Sequence, residues 1–407
     1  MSDLPAGWRE ATLGEVCNKP QYGWTSSARI DGPGPLMLRT TDITHGPIDW
    51  DAVPRATEPP PRGSRFTLEH NDIVVSRAGS VGASALLDDP PVGAVFASYL
   101  MRLSPFTDLV EPKYLWLFLQ SPRFWGQVVA ATDGIALPNI NASKLARMRV
   151  PLPPLDEQRR IVAFLEDHLA HLDAVMSHLS GVRQSANRLL ATSLSRARQG
   201  VIRHLGDVAD IQGGIQKQPK RKPVRNTCPF LRVANVTANG LDLSEVHEIE
   251  VFEGEVSNFG LRKDDLLVVE GNGSPSQIGR AAIWDGSIEP CVHQNHLIRV
   301  RPKPGLSPAY LEIVWNSPQN REILTAVSSS SSGLHTLSVS KLSQLSIPVP
   351  ELAQQDAIVE EVTAVRASIT RLLNRVTDLE QESNELRQSL LAAAFRGDLT
   401  ADYRNDR

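Results

Sequence analysis

The chain repeats itself once at long range, and this duplication restricts its fold more than any local motif. Leu13-Gly14-Glu15-Val16 returns as Leu205-Gly206-Asp207-Val208, and Asp72-Ile73-Val74-Val75 as Asp265-Leu266-Leu267-Val268. Leu38-Arg39 returns as Leu231-Arg232, Tyr114-Leu115 as Tyr310-Leu311, and Ser143-Lys144-Leu145 as Ser340-Lys341-Leu342. Gln158 returns as Gln355 and Gly200 as Gly397. The offset is 192 at the start, 193 through the first strands and about 197 afterwards, a drift that a few loop insertions explain. Such a period excludes a solenoid. One globular part followed by one helix is used twice, which suits a length of 407 residues better than a single core does.

The helices are the clearest local signal. Pro151-Leu152-Pro153-Pro154 closes the first globular part, because proline removes a donor and biases its neighbour away from helix. Asp156 then places a carboxylate where the helix dipole favours it. Apolar residues follow in steps of four and three: Ile161, Leu165, His168, Leu172, Val175, Leu179, Val182, Ala186 and Leu189. The second copy, opened by Pro348-Val349-Pro350, carries Ile358, Val362, Val365, Ile369, Leu372, Val376, Leu379, Ser383, Leu386 and Leu390. This step predicts two coiled-coil helices of about forty residues, each roughly 60 Å long. Two equal apolar stripes in one chain are expected to cover each other as an antiparallel pair. His168 reads as a polar residue that fixes register, and Gly181 as a weak point in the first helix.

Each globular part reads as short strands and glycine- or proline-rich loops with a late helix. Asp72 to Val75, Asp265 to Val269, Tyr99 to Leu103 and His296 to Val300 are β-type runs. Tyr114 to Leu119 and Tyr310 to Trp315 begin helices after Pro112 and Pro308. The expected fold is therefore α+β. Two α/β domains are separated by two long α-helices that pack as an antiparallel coiled coil, with an internal pseudo-two-fold repeat. The boundaries fall at 1–150, 151–200, 201–347 and 348–400, with a tail at 401–407.

The net charge of −4 argues against a protein held to nucleic acid by charge alone, although local basic loops remain compatible with it. Lys217-Gln218-Pro219-Lys220-Arg221-Lys222-Pro223-Val224-Arg225 is the densest basic stretch, suited to phosphates and, through its glutamines, to base edges. Its counterpart, Gln21-Tyr22-Gly23-Trp24-Thr25-Ser26-Ser27-Ala28-Arg29, is aromatic and hydroxyl-rich. Two readers of different sequences need such divergence; neutral surface loops also show it. Glycine loops follow a strand in each copy, at 76–82 and 270–280. The second begins Gly271-Asn272-Gly273, but Ser276 stands where a dinucleotide fingerprint needs its third glycine, and no Walker lysine follows. These loops then fit phosphate or base contact, or plain β-turns.

Cys17, Cys228 and Cys291 have no zinc spacing, and a reduced, cytoplasmic chain is expected. On a strand Cys291, His293 and Asn295 face one way and His296 the other, so no metal is expected there. His293, Gln294 and Asn295 suit base reading instead. Met1 to Glu10 carries no apolar stretch of signal-peptide type and no run of eighteen apolar residues occurs, so neither secretion nor membrane spanning is expected.

Taken together, these features resemble the specificity subunits of type I restriction–modification systems over essentially the whole chain. The most specific elements are Val150-Pro151-Leu152-Pro153-Pro154-Leu155-Asp156-Glu157-Gln158, running into a long helix, and Leu390-Leu391-Ala392-Ala393-Ala394-Phe395-Arg396-Gly397-Asp398-Leu399. Trp8 before Leu13-Gly14-Glu15-Val16 is a typical opening. The second copy departs from the pattern with Ala353-Gln354-Gln355. The resemblance implies two target-recognition domains, each reading half of a split, asymmetric site on double-stranded DNA. It implies helices that set the spacing and carry two methyltransferase subunits. Those partners would bring S-adenosylmethionine, and restriction subunits would bring ATP and Mg2+. No cofactor is expected on this chain, and no catalysis: it lacks a methyltransferase Asn/Asp-Pro-Pro-aromatic motif and a P-loop.

The residues expected to touch DNA in the first domain are Tyr22, Trp24, Ser26, Arg29, Arg39, Arg77 and Ser80. In the second they are Lys217, Gln218, Lys220, Arg221, Arg225, Arg232, Asn272, Ser274, Gln277, Arg280, His293, Gln294 and Asn295. Two other readings compete. One is a coiled-coil scaffold that binds proteins without reading DNA. The other is a duplicated nuclease, for which Asp264, Asp265, Glu270 and Arg280 form only a loose carboxylate cluster, with Ser76 ending the matching strand of the first copy.

Overall fold

The computed structural model describes residues 4–405 except 45, 62–64, 79, 133–138, 198–199, 238–239, 272–278 and 329–335. The chain forms two compact units: residues 1–179 with 378–407, and residues 180–377. The two long helices, Leu155–Leu194 and Leu352–Arg396, each contribute one part to each unit.

The globular part of the first unit, here the first head, has a four-stranded antiparallel sheet. Its strands are β1 (Gln21–Tyr22), β2 (Ile73–Ser76), β3 (Ser84–Leu86) and β4 (Leu100–Leu103), in the order β1-β4-β2-β3. The second head repeats this with β5 (Ala209–Gly213), β6 (Leu266–Val269), β7 (Ala281–Ile283) and β8 (Leu297–Pro302), in the order β5-β8-β6-β7. A second parallel pairing recurs as well: Met37–Leu38 with Val95–Phe96, and Phe230–Leu231 with Val292–His293. β2 and β6 are buried along their whole length, which is why both read as continuous apolar runs.

Helices Pro112–Phe118 and Pro308–Asn316 begin at a proline, whose fixed φ suits the first helical turn and whose missing donor is not needed there. Tyr114 and Tyr310 are fully buried, and their hydroxyls donate to the Pro151 carbonyl at 2.7 Å and the Pro348 carbonyl at 3.1 Å. In the first unit Phe395 of the second long helix closes this core, 5.2 Å from Tyr114 and 5.4 Å from Phe118 in edge-on contacts.

The glutamine of the proline junction joins head to helix. Gln158 accepts from the Glu111 amide at 2.8 Å and donates to the Leu109 and Pro153 carbonyls at 3.1 and 2.9 Å. Gln355 accepts from the Ser307 amide at 2.8 Å and donates to Gly305 and Pro350 at 2.9 and 2.8 Å. Both amides are fully buried and satisfied, so each repeat keeps its glutamine for a structural reason. The residues before it have another task. Glu157, buried, accepts from Thr400 Oγ1 and Arg404 Nη1, each at 2.6 Å, and Asp156 accepts from the Tyr403 hydroxyl at 2.5 Å. Residues 398–405 thus clasp the start of the first helix. Ala353 and Gln354, at the matching place in the second unit, are exposed.

Within each unit the helix segments run antiparallel. In the first, Glu157 meets Thr400 and Asp173 pairs with Arg387. In the second, Arg183 meets Thr377 at 3.4 Å and Arg196 pairs with Glu361 at 2.6 Å. The covered seam holds Leu165, Leu169, Leu172, Met176, Leu179, Ala186 and Leu190 on the first helix, and Val362, Ile369, Leu373, Val376, Ser383 and Leu391 on the second. This corrects the expected seam at alternate steps. His168, Val175, Val182, Leu189, Leu372 and Leu386 are exposed, and His168 stacks on Phe164 instead of fixing register. Two phases of the four-three step share every seventh residue and differ by one residue between. Only the packing partner decides which phase is covered.

Candidate nucleic-acid interface

In each head the ends of the sheet strands converge on one rim. Gly23 and Gly214 approach the neighbouring chain so closely that an added Cβ would collide with the carbonyl oxygens of Phe96 and Ala97, or of His293 and Gln294. Backbone bridges then join Trp24 to Ala97 and Ile215 to Gln294. After β2, the Arg77 amide donates to Tyr99 and the Arg77 carbonyl accepts from Ile140. After β6, Glu270 makes the same two bonds with His296 and Leu337. Three stretches far apart in sequence are thereby fixed side by side, in the same way in both heads.

Of the residues expected at the first rim, Tyr22 and Arg77 come together. The Arg77 guanidinium lies 4.7 Å over the Tyr22 ring, whose hydroxyl accepts from the Ala142 amide at 2.9 Å. Trp24 is close by but held. Its indole donates to the Glu58 carbonyl at 2.7 Å and its ring lies 5.3 Å from Phe66. Ser26 accepts from the Glu58 amide at 3.1 Å, which closes the same loop. Arg29 pairs with Asp31 at 3.0 Å on the surface. Arg39 binds Asp42 through Nε and Nη2 at 3.0 and 2.7 Å, and that pairing holds its guanidinium pKa above the usual value. Ser80 is exposed and lines a cleft of 1100 Å³ with Trp50, Trp116, Trp125, Asp88 and Asp89.

In the second head the basic stretch divides into residues that present charge and one that holds structure. Lys217, Lys220 and Arg225 are exposed, while Gln218 is half-buried, its side chain donating to Gln216 at 3.2 Å. Arg221 is bound by Glu255 through two bonds of 2.7 Å, with its guanidinium 4.7 Å over Phe252. A bidentate pair of this kind fixes a loop, and it raises the Arg221 pKa and lowers that of Glu255. Lys217, Gln218, Arg221, Phe230, His247 and Ile249 line a cleft of 720 Å³ beneath this loop. Arg232 reaches Glu245 at 3.5 Å, and half-buried Arg280 donates to the Val233 carbonyl at 3.2 Å, so both brace their own loops. Gln294 and Asn295 are half-exposed at the rim. Asn272, Ser274 and Gln277 lie outside the described residues.

His293 requires a correction. It is fully buried, facing Arg299 rather than solvent, so it is not available to a base edge. Burial, then the Arg299 charge, lowers its pKa to about 4 and keeps it neutral. Among the described residues no group of three His, Cys, Asp or Glu side chains is placed to hold a metal ion. The loose carboxylate cluster also dissolves. Asp265 is buried and bound by Arg301 at 2.6 and 2.7 Å, as Asp72 of the first head is bound by Ser104 and Arg102. These aspartates brace the sheet.

Glu270 with His296, and Tyr99 and Asn139 beside Arg77, belong to the rims although their types alone did not single them out. The signal was in the duplication: Arg77 and Glu270 each stand five residues after the repeated aspartate, Asp72 or Asp265.

A family model, the type I restriction modification DNA specificity domain, matches residues 5–179 and again 200–381. The chain is 25% identical over 393 residues to the type I restriction enzyme EcoKI specificity subunit of Escherichia coli K12, covering 90% of this chain and 83% of that one. It is 25% identical over 390 residues to the StySPI specificity subunit of Salmonella potsdam, with the same coverage of 90% and 83%. Among solved structures, a chain reported for complex assembly and conformational transition of the type I R-M system superposes with a TM-score of 0.75 at 22% identity, covering 97% and 99% of the two chains. The HsdS subunit from Thermoanaerobacter tengcongensis gives 0.52 at 21% identity, covering 97% and 98%. Two heads, two glutamine-stapled long helices and two divergent rims define a duplicated specificity protein. The chain belongs to the family of type I restriction–modification DNA specificity subunits, whose role is sequence specificity and not catalysis. Among the described residues no helix is long and apolar enough to cross a membrane.

Proposed function

We propose that each head reads one half of a split, asymmetric site on double-stranded DNA, and that the paired helices set the distance between the halves. The observation that carries this reading is the pair of rims: one backbone framework, bonded alike, with different side chains mounted on it. A single recognised sequence would favour like side chains, whereas two half-sites need unlike ones. Lys217, Lys220 and Arg225 supply exposed charge for phosphates in the second head.

The helices also support docking of two methyltransferase subunits. In the first unit Val175 and Leu386, and in the second Val182, Leu189 and Leu372, stay 36–55% exposed along the flank of a seam that is already filled. The antiparallel pairing puts the flanks of both helices on one face within each unit. An apolar row of that kind is covered by an apolar helix face of a partner. The methyltransferase subunits would supply S-adenosylmethionine chemistry, and restriction subunits ATP- and Mg2+-dependent steps.

The assembled complex is expected to protect one split site. Lys220→Ala with Arg225→Ala should weaken binding to every sequence alike and flatten its dependence on salt by about one unit of slope per lost phosphate contact. Binding unchanged at every salt concentration would remove the basic loop from the interface. A complex that shifts no DNA selectively would refute the whole reading in favour of a protein scaffold.

A further inference from the structure

Arg77 and Glu270 occupy one position in the two heads. Each follows its buried β-strand, donates its amide to the residue before β4 or β8 (Tyr99 or His296, both at 2.9 Å) and accepts at its carbonyl from Ile140 or Leu337, at 3.1 and 2.8 Å. The backbone is the same and the charge is reversed. Each side chain is also held ready. The Arg77 guanidinium rests 4.7 Å over the Tyr22 ring, with Nε 3.5 Å from Asn139 Oδ1. The Glu270 carboxylate meets His296 Nδ1 at 3.2 Å and remains 30% exposed. Neither is spent on a buried ion pair, unlike Arg221 with Glu255 or Arg301 with Asp265.

A planar fork of N–H donors matches the O6 and N7 acceptors of guanine, while a carboxylate accepts from the N4 amine of cytosine. We propose that Arg77 and Glu270 are the matched specificity-determining side chains of the two heads, Arg77 reading a guanine in one half-site and Glu270 a cytosine in the other. This rests on the reading of the heads as DNA-recognition domains. A phosphate contact would not tolerate the reversal, because a carboxylate at that position repels the backbone. Base edges accept either sign, since each pair presents both donors and acceptors in the major groove.

The test uses the full chain assembled with its methyltransferase subunits and a DNA pool randomised across the split site. Arg77→Lys keeps the charge and loses the fork. It should lower the preference for guanine at one position of one half by about 5- to 150-fold and leave the other half untouched. Glu270→Gln keeps the shape and should do the same at one cytosine of the other half. Unchanged motifs, or an equal loss on every sequence with a shallower salt slope, would overturn the assignment. So would loss of a whole half-site, which would mark a merely structural role; equal thermal unfolding of variant and parent guards against misfolding. A parent complex without any sequence preference would overturn both readings, and it is told apart because it appears before any substitution is made.

Discussion

His293 is fully buried, and that burial weighs on its ring more than the neighbouring Arg299 charge does. The unfolded chain takes up a proton near the ordinary pKa of 6.5, whereas the folded one resists until about 4. The head is therefore expected to hold its full stability above pH 6.5 and to lose on the order of 3 kcal/mol as the pH falls toward 4. Phe96 takes the equivalent place in the first head, on the equivalent parallel strand pair. His293→Phe should accordingly remove this acid sensitivity, measured as unfolding midpoints between pH 4 and 7. An unchanged pH profile would show that another group carries it. Residue type alone did not announce this role, since Gln294 and Asn295 beside His293 do reach the rim while Cys291, Val292 and His293 are all buried. Arg221 misled in the same way. A basic run announces charge but does not announce Glu255, thirty-four residues on, which ties one member of it down.

At the scale of elements, both long helices were legible from their four-three step, and the bounds Leu155–Leu194 and Leu352–Arg396 follow the proline junctions closely. The phase of the seam was not legible, because Val175 and Met176, or Leu372 and Leu373, satisfy the spacing equally until a partner helix chooses. Gly181 falls within the first helix, and a Cβ there would meet no atom within 4 Å. Gly181→Ala is expected to stabilise the protein by about 1 kcal/mol, seen as a rise of a few degrees in its unfolding temperature. A fall would mean that the helix needs the glycine to bend. The change from Asp156-Glu157 to Ala353-Gln354 has a structural cause invisible in the sequence. The carboxylates of the first unit serve Thr400, Tyr403 and Arg404 as a clasp.

At the scale of the whole molecule, the duplication was the most informative feature of the sequence, and the two heads repeat the strand order of their four-stranded sheets. Beyond that, the clasp makes the first unit depend on the far end of the chain. Arg404→Met would leave Glu157 buried without its cation, a change expected to cost the first unit about 3–5 kcal/mol. Two separated unfolding transitions should result, with the second unit unchanged; a single unshifted transition would deny the clasp its role. The framework of interchangeable heads is tested most directly by replacing residues 201–347 with the same segment of a relative and mapping the methylated sites of a host that carries the assembled complex. A new motif should appear in which one half is exchanged and the other half, with its spacing, is retained. Alteration of both halves, or of neither, would contradict it.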